Sequence, residues 1–158
     1  MNQNTINHTI RIALPSGFRQ MDPEEKKKIY AMSAVIPDWS VHDPERHMIF
    51  SASWKKMNSI LAMMACSMDG AKGLEKRMRI ALRDRNYQFG EYIKGNLGEK
   101  KAFGFTFRCQ GKEGDLLNRT MMVRDGEIIY YLTSQIRADR ENESKTMMDQ
   151  IWSSISML

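Results

Sequence analysis

The sequence predicts an α+β fold in which helices cover both faces of an antiparallel sheet of about six strands, an α/β/α sandwich. Four strand-like segments follow one another without an intervening helix, and short turns that contain glycine separate them. Amphipathic helical patterns precede and follow this region. The four predicted strands span residues 87–94, 101–110, 116–124 and 127–136.

The short turns between these segments predict antiparallel pairing. Asp125 and Gly126 stand between two apolar segments, and this pair favours a hairpin turn of type I′. Residues 95–98 and 111–114 carry glycine at both ends and are expected to form the other two connections. Parallel neighbours would need long crossover segments, so the four strands are expected to form a meander.

The second of these strands indicates which face is buried. Phe103, Phe105 and Phe107 alternate with smaller or polar residues and therefore share one face. Cys109 continues this face and is expected to be buried and unpaired. The fourth strand is apolar on both sides over residues 128–132, whereas a sheet with one wet face would alternate more cleanly. We therefore expect helices on both faces.

The N-terminal third predicts two more strands and a short helix. Residues 7–14 alternate polar and apolar side chains and predict the first strand. Asp22 followed by Pro23 predicts a helix start, with the helix over residues 23–30. Pro37 and Trp39 are expected in a loop. The second strand is predicted over residues 47–54.

Two longer helical patterns flank the meander. In the first pattern, five apolar residues share one face of the helix. The major helix is predicted to follow over residues 71–84. A break is expected near Gly70 and Gly73. The last helix is expected to begin at Asn142 or Ser144, to end near residue 156 and to be anchored by Trp152. The five residues of the first pattern are Met57, Ile60, Leu61, Met64 and Met68.

Length and composition limit the classes of protein to which this chain can belong. The chain of 158 residues is expected to form one domain over residues 1–158. The N-terminus is polar, with no apolar leader and no segment of membrane-spanning length, so a cytoplasmic location is expected. The 14 methionines include three adjacent pairs. They are interpreted as filling irregular gaps in the core, with a methionine-lined binding groove as the alternative.

No segment of the sequence carries a catalytic or metal-binding motif. Cys66 and Cys109 have no metal-ligand spacing, and no nucleophile motif or phosphate-binding loop is present. His42 and His47 flank a turn and are interpreted as solvated loop residues in preference to metal ligands. We therefore expect a chain without catalytic, cofactor-binding or metal-binding residues, and not an enzyme.

The strongest surface signal is a row of basic side chains on the major helix. Lys72, Lys76, Arg79 and Arg83 recur at helical spacing opposite the apolar stripe, in a chain of net charge +5. We call these four residues the basic face. They are candidates for contact with a protein partner, or alternatively with nucleic acid. The oligomeric state is left open.

Several segments resemble the PsbP-like and DcrB-like superfamily, whose fold is shared with the yeast Ran-release factor. The opening Ile-Ala-Leu-Pro-Ser-Gly-Phe of residues 12–18 is similar to the family's first strand and turn. Residues 49–54, the central helix and residues 103–107 continue the resemblance over nearly the whole chain. The resemblance implies an α/β/α sandwich and proteins that bind other proteins or assist assembly, with no shared catalytic activity and no site residues to carry over.

Overall fold

The computed structural model describes residues 1–31, 33 and 35–158. Its strands, in chain order, are β1 Asn2–Ile6, β2 Ile10–Leu14, β3 Arg19–Gln20, β4 Trp39–Asp43, β5 Met48–Lys56, β6 Gln88–Leu97, β7 Lys100–Gly111, β8 Gly114–Asp125, β9 Ile128–Arg137 and β10 Ser156–Met157. Its helices are α1 Pro23–Ile29, α2 Ser59–Ala65, α3 Met68–Ala81 and α4 Glu141–Ser153. None of the helices in the described residues is long and apolar enough to cross a membrane.

A seven-stranded antiparallel sheet forms the centre of the fold, in the order β3-β4-β5-β9-β8-β7-β6. The predicted meander is confirmed as β6 to β9; β6, β7 and β8 are two or three residues longer than expected, and β9 has the predicted length of ten residues, shifted by one. The sheet has seven strands where about six were predicted, because β3 and β4 join it at one edge while the predicted strand over residues 7–14 lies outside it. A separate three-stranded sheet has the order β1-β2-β10.

The last hairpin turn differs from the prediction of type I′. Asp125 pairs with Ile128, so the central residues are Gly126 and Glu127 and not Asp125 and Gly126. Gly126 has φ +61°, whereas Glu127 is not among the residues with positive φ. A positive φ at the first central residue but not at the second fits a turn of type II′.

Three predictions for the N-terminal third were wrong. Residues 7–14 are not one strand, because Asn7 and His8 adopt positive φ and turn the chain between β1 and β2. Trp39 lies in β4 and not in a loop, since its strand pairs with β5. His42 lies in the same strand and is buried, so it is not a solvated loop residue. Short strands with mixed polar and apolar residues, such as β4, are difficult to predict from local sequence because their pairing depends on distant neighbours.

The larger core lies between the seven-stranded sheet, α4 and the small sheet. Trp152 of α4 is buried, contacts the Phe50 ring edge-on at 4.9 Å between centroids, and donates a hydrogen bond of 2.9 Å to Ser134 Oγ. Met148 and Ile155 are buried in the same core. These contacts confirm that Trp152 anchors the last helix, although α4 begins after Arg140 with no side-chain cap from Asn142 or Ser144.

A second core lies on the opposite face of the sheet, beneath α3. Phe105, Phe107 and Cys109 are buried there and pack against Leu74 and Met78 of α3, among others. Cys109 is free, as predicted. Helices therefore cover both faces of the sheet, which explains why the adjacent residues Met121 and Met122 are both buried although they point in opposite directions.

Candidate functional site

The basic face is only partly as predicted. Lys72 and Lys76 are exposed on α3, and Arg83 is exposed one turn beyond it, because α3 ends at Ala81 and Arg83 opens a short 3₁₀ helix. In the part of the chain that the structure describes, none of these three forms an ion pair. Arg79 differs from them, because its guanidinium binds the carboxylate of Glu75.

Glu75 is a buried carboxylate at the centre of a polar cluster that the sequence analysis missed. Its side chain is 1% exposed and accepts two hydrogen bonds from Arg79, of 3.0 Å from Nε and 2.5 Å from a terminal nitrogen. The phenols of Tyr87 and Tyr92 donate two more, of 2.9 and 3.3 Å. A buried carboxylate is tolerated when it is paired and hydrogen-bonded in this way. Arg79 is therefore part of the packing of α3 as well as of its surface.

The two tyrosines of this cluster remain protonated. Burial raises the pKa of Tyr87, and the hydrogen bond and negative charge of Glu75 raise it further. The same causes raise the pKa of Tyr92. Both phenols thus act as donors to Glu75 across the whole physiological range. The signal in the sequence was a glutamate four residues before an arginine, with an apolar residue beside it at Leu74.

Helix α2 leaves most of its predicted apolar face uncovered. Ala62 is its one buried residue in the structure. The side chains of four of its apolar residues are largely exposed: Ile60 71%, Leu61 51%, Met63 60% and Met64 66%. We call these four residues the α2 patch. The pattern identified a helix with an apolar surface correctly, but in the described structure that surface stays largely exposed.

The backbone at the α2–α3 junction holds α2 in a defined position. The side chain of Asn58 caps α2 by accepting from the amide of Leu61, and the Ser67 hydroxyl caps α3 by accepting from the amide of Gly70. The helices break at residues 66 and 67 and not near Gly73, which lies inside α3. A Cβ added at Gly70 would stand 1.8 Å from the carbonyl oxygen of Ala65. Glycine here permits the close approach of the two helices.

A groove of 380 Å³ lies beside the α2 patch. Met63 and Cys66 form one side, and Phe103 at the start of β7 contributes a second apolar surface. The charged residues that line the groove are all basic: Lys100, Lys101 and Arg124. We call these residues, together with Gly126, the α2 groove. Burial raises the pKa of the Cys66 thiol against the opposing charge of Arg124, so Cys66 is protonated and of low reactivity.

A larger groove of 560 Å³ lies on the other face of the sheet, between β6, β7, β8 and α4. Arg119 stacks on Trp152 there, with its guanidinium carbon 4.6 Å from the ring centroid. Burial lowers the pKa of Arg119 and the charge of Asp149 opposes this effect. The charged residues that line this groove carry both signs, among them Glu141, Lys145 and Asp149 of α4, and so the groove favours no single class of charged ligand.

The described residues contain no group of three or more histidine, cysteine, aspartate or glutamate side chains that could hold a metal ion. His42 Nε2 lies 3.2 Å from Glu25 Oε2, without the alignment of a hydrogen bond. Burial lowers the pKa of His42 against the charge of Glu25. Two hydrogen bonds from Arg19, followed by the amide of Asp22, lower the pKa of Glu25 to about 2.

Comparison with solved structures shows that the chain has the PsbP-like fold. It matches the solution structure of the cyanobacterial PsbP protein CyanoP from Synechocystis sp. PCC 6803 with a TM-score of 0.72 and 13% identity, over 99% of this chain and 92% of that one. No family model matches the chain. No curated protein matches it either.

Two further solved structures share the fold. LpqN, involved in cell envelope biogenesis of Mycobacterium tuberculosis, matches with a TM-score of 0.57 and 12% identity, over 94% of this chain and 82% of that one. The Ran-binding protein Mog1p of Saccharomyces cerevisiae matches with a TM-score of 0.56 and 8% identity, over 99% of this chain and 95% of that one. The resemblance predicted from residues 12–18, 49–54 and 103–107 is therefore confirmed as a structural one.

Proposed function

We propose that this chain is a non-enzymatic module that binds a protein partner, and that the basic face of α3 steers an acidic partner towards it. The observation that carries the proposal is the exposure of Lys72, Lys76 and Arg83, which form no ion pair within the described residues. Like charges at this spacing repel one another slightly, and an acidic partner relieves that repulsion. The fold adds support, because Mog1p, which shares it, is a Ran-binding protein.

The test compares charge reversals on two helices. The double variant K72E/K76E reverses two charges of the basic face and leaves Arg79 in contact with Glu75. The control K27E/K28E makes the same change in charge on α1, where both lysines are exposed. Each protein serves as bait for affinity capture from cells of its source, at low and at moderate salt.

We expect K72E/K76E to lose captured proteins that wild type and K27E/K28E both retain, and we expect the difference to shrink as salt rises. Association rates measured with a captured protein should fall for K72E/K76E alone, since exposed charges act mainly on the rate of encounter. Equal capture by all three baits at low salt would show that the basic face steers no protein.

The same exposed cations favour nucleic acid as a second candidate partner. Binding to phosphates releases counterions, so affinity for generic DNA or RNA would fall steeply with added salt and would depend little on sequence. A mobility-shift titration with duplex DNA and single-stranded RNA at several salt concentrations tests this alternative. Retarded complexes that disappear in K72E/K76E would favour nucleic acid over a protein.

A further inference from the structure

We propose that the α2 patch and the α2 groove together anchor an acidic segment of a partner protein that carries apolar side chains between its carboxylates. This inference rests on the proposed protein-binding function and specifies its site and the chemistry of the partner. In this arrangement the basic face of α3 acts on encounter, and the α2 patch and groove hold the partner once it has arrived.

The apolar part of the site is unusual for a free surface. Four adjacent apolar side chains on two turns of helix expose more than half of their area to water, and Met63 also lines the groove. Large contiguous apolar surfaces on soluble proteins mark interaction sites. Two of the four are methionines, whose flexible side chains adapt to different partner shapes.

The α2 patch is held in place from within the chain. A seven-residue helix is too short to be stable alone. The Asn58 cap, the Ser67 cap of the next helix and the close approach at Gly70 fix its ends, and Ala62 is its buried contact. The exposed apolar side chains are therefore presented on a defined scaffold, which lowers the entropic cost of binding.

The charges of the groove identify the partner. Lys100, Lys101 and Arg124 line it and no carboxylate does. Carboxylates of a partner segment can lie against these cations while its apolar side chains cover Met63 and Phe103. Charge complementarity of this kind sets both the specificity and the orientation of a complex. The α2 groove is thus complementary to an acidic, amphipathic segment.

Two other occupants fit the site less well. A second copy docked through the same surface in a symmetric dimer would place these lysines and arginine against themselves, which is unfavourable. An anionic membrane would satisfy the charge but is flat on this scale, whereas Met63, Cys66 and Phe103 line a concave groove. A peptide segment can enter such a groove and satisfy both the apolar and the basic residues.

The test uses short random peptides displayed on phage and selected on the full chain. Peptides retained by wild type are taken forward without counter-selection against any variant, so that their dependence on Met63 is measured and not selected for. Enriched sequences are synthesised, and their affinities are measured by fluorescence anisotropy for wild type and four variants. Met63→Glu and Lys101→Glu alter the site. The matched control is Ile80→Glu, an apolar residue of α3 that is 62% exposed, and Lys72→Glu reports on the basic face.

We expect the enriched peptides to combine Asp or Glu with Leu, Phe or Trp. Their affinity should fall about tenfold or more in Met63→Glu and Lys101→Glu, as for loss of an anchor residue, and by less than about twofold in Ile80→Glu. Exchanging the acidic residues of a peptide for lysine should abolish binding. Circular dichroism of each variant confirms that it is folded.

Four outcomes overturn the inference. The first is the absence of any enriched peptide, and the second is enrichment of peptides without acidic residues. In the third, peptides lose affinity in Lys72→Glu but not in Met63→Glu, so the module still binds protein but through the basic face alone. In the fourth, no peptide binding depends on Met63, and Met63→Glu instead abolishes binding to phosphatidylglycerol vesicles or a concentration-dependent dimer. The K72E/K76E capture experiment decides the proposed function independently of all four.

Discussion

At the scale of single residues, the side chains that matter most are those whose surroundings differ from what their residue type suggests. Glu75 is a carboxylate beneath α3 with four donors around it, and His42 is a buried histidine beside Glu25. Neither forms part of a group of three or more side chains that could hold a metal ion in the described residues. The groups that they pair with lie up to 17 residues away in the sequence. The roles of Glu75 and His42 therefore depend on burial and on contacts with distant residues.

Trp152 gives the clearest prediction for stability. Trp152→Ala removes the contact with Phe50, the hydrogen bond to Ser134 Oγ and the ring on which Arg119 stacks, so the free energy of unfolding should fall by about 3–5 kcal/mol. Urea unfolding followed by circular dichroism measures the loss. Trp152→Phe keeps most of the ring and should lose less. A loss below about 1 kcal/mol for the alanine variant would contradict a core role for the indole.

His42 predicts how stability depends on pH. Its pKa in the folded protein lies below the ordinary value of 6.5, so the unfolded chain takes up this proton first as pH falls. The free energy of unfolding is therefore expected to decrease below about pH 6.5, by at most about 1.4 kcal/mol per pH unit for this one proton, until the folded histidine is protonated too.

The measurement is chemical unfolding of wild type and His42→Gln between about pH 5 and pH 7.5, where the depressed pKa of Glu25 does not contribute. Wild type should lose stability towards the acidic end, and His42→Gln should be flatter. Parallel curves for the two proteins would show that His42 takes up its proton equally easily in the folded and unfolded chain.

At the scale of elements, the junction between α2 and α3 connects the candidate binding surface to the core. Two glycines of α3 look equivalent in the sequence, three residues apart. The structure separates them, because Gly70 touches the end of α2 whereas the nearest atom to a Cβ at Gly73 would be an Arg77 side-chain nitrogen at 3.9 Å. The first glycine is required by packing, and the second is not.

Alanine substitution should therefore have opposite effects at the two positions. Gly73→Ala should raise the free energy of unfolding by about 0.5–1 kcal/mol, because alanine favours the helix and restricts the unfolded chain. Gly70→Ala should lower it by several times that amount, since the methyl group would collide with the Ala65 carbonyl. Thermal unfolding of the two variants tests both. Equal effects of the same sign would contradict the close approach of the two helices.

At the scale of the whole molecule, different elements pack against the two faces of the sheet. One face carries α4 and the three-stranded sheet over the larger core, and the other carries α3 over Phe105, Phe107 and Cys109. Both candidate surfaces belong to the α2–α3 region. The basic face and the α2 patch follow one another in the chain, so encounter and anchoring are assigned to adjacent elements.

Several features followed from the sequence alone because their causes are local. The meander from β6 to β9 was predicted because alternation of side chains and short turns act between near neighbours. The burial of Cys109 and the anchoring role of Trp152 were predicted because each continues an apolar face of its own element. The resemblance to the PsbP-like fold was likewise inferred from the order of these elements along the chain.

Only the tertiary structure decided which apolar and charged surfaces are covered. The helical pattern from Met57 to Met68 predicts an apolar face, but burial of that face depends on what lies opposite, and in α2 four apolar side chains stay largely exposed. Lys100, Lys101 and Arg124 meet Met63 only because the β6–β7 and β8–β9 hairpins end beside α2. Arg79 was counted with the basic face for the same reason, because the sequence does not show that its partner Glu75 is buried. Burial and pairing are properties of distant neighbours, and a pattern within one element does not contain them.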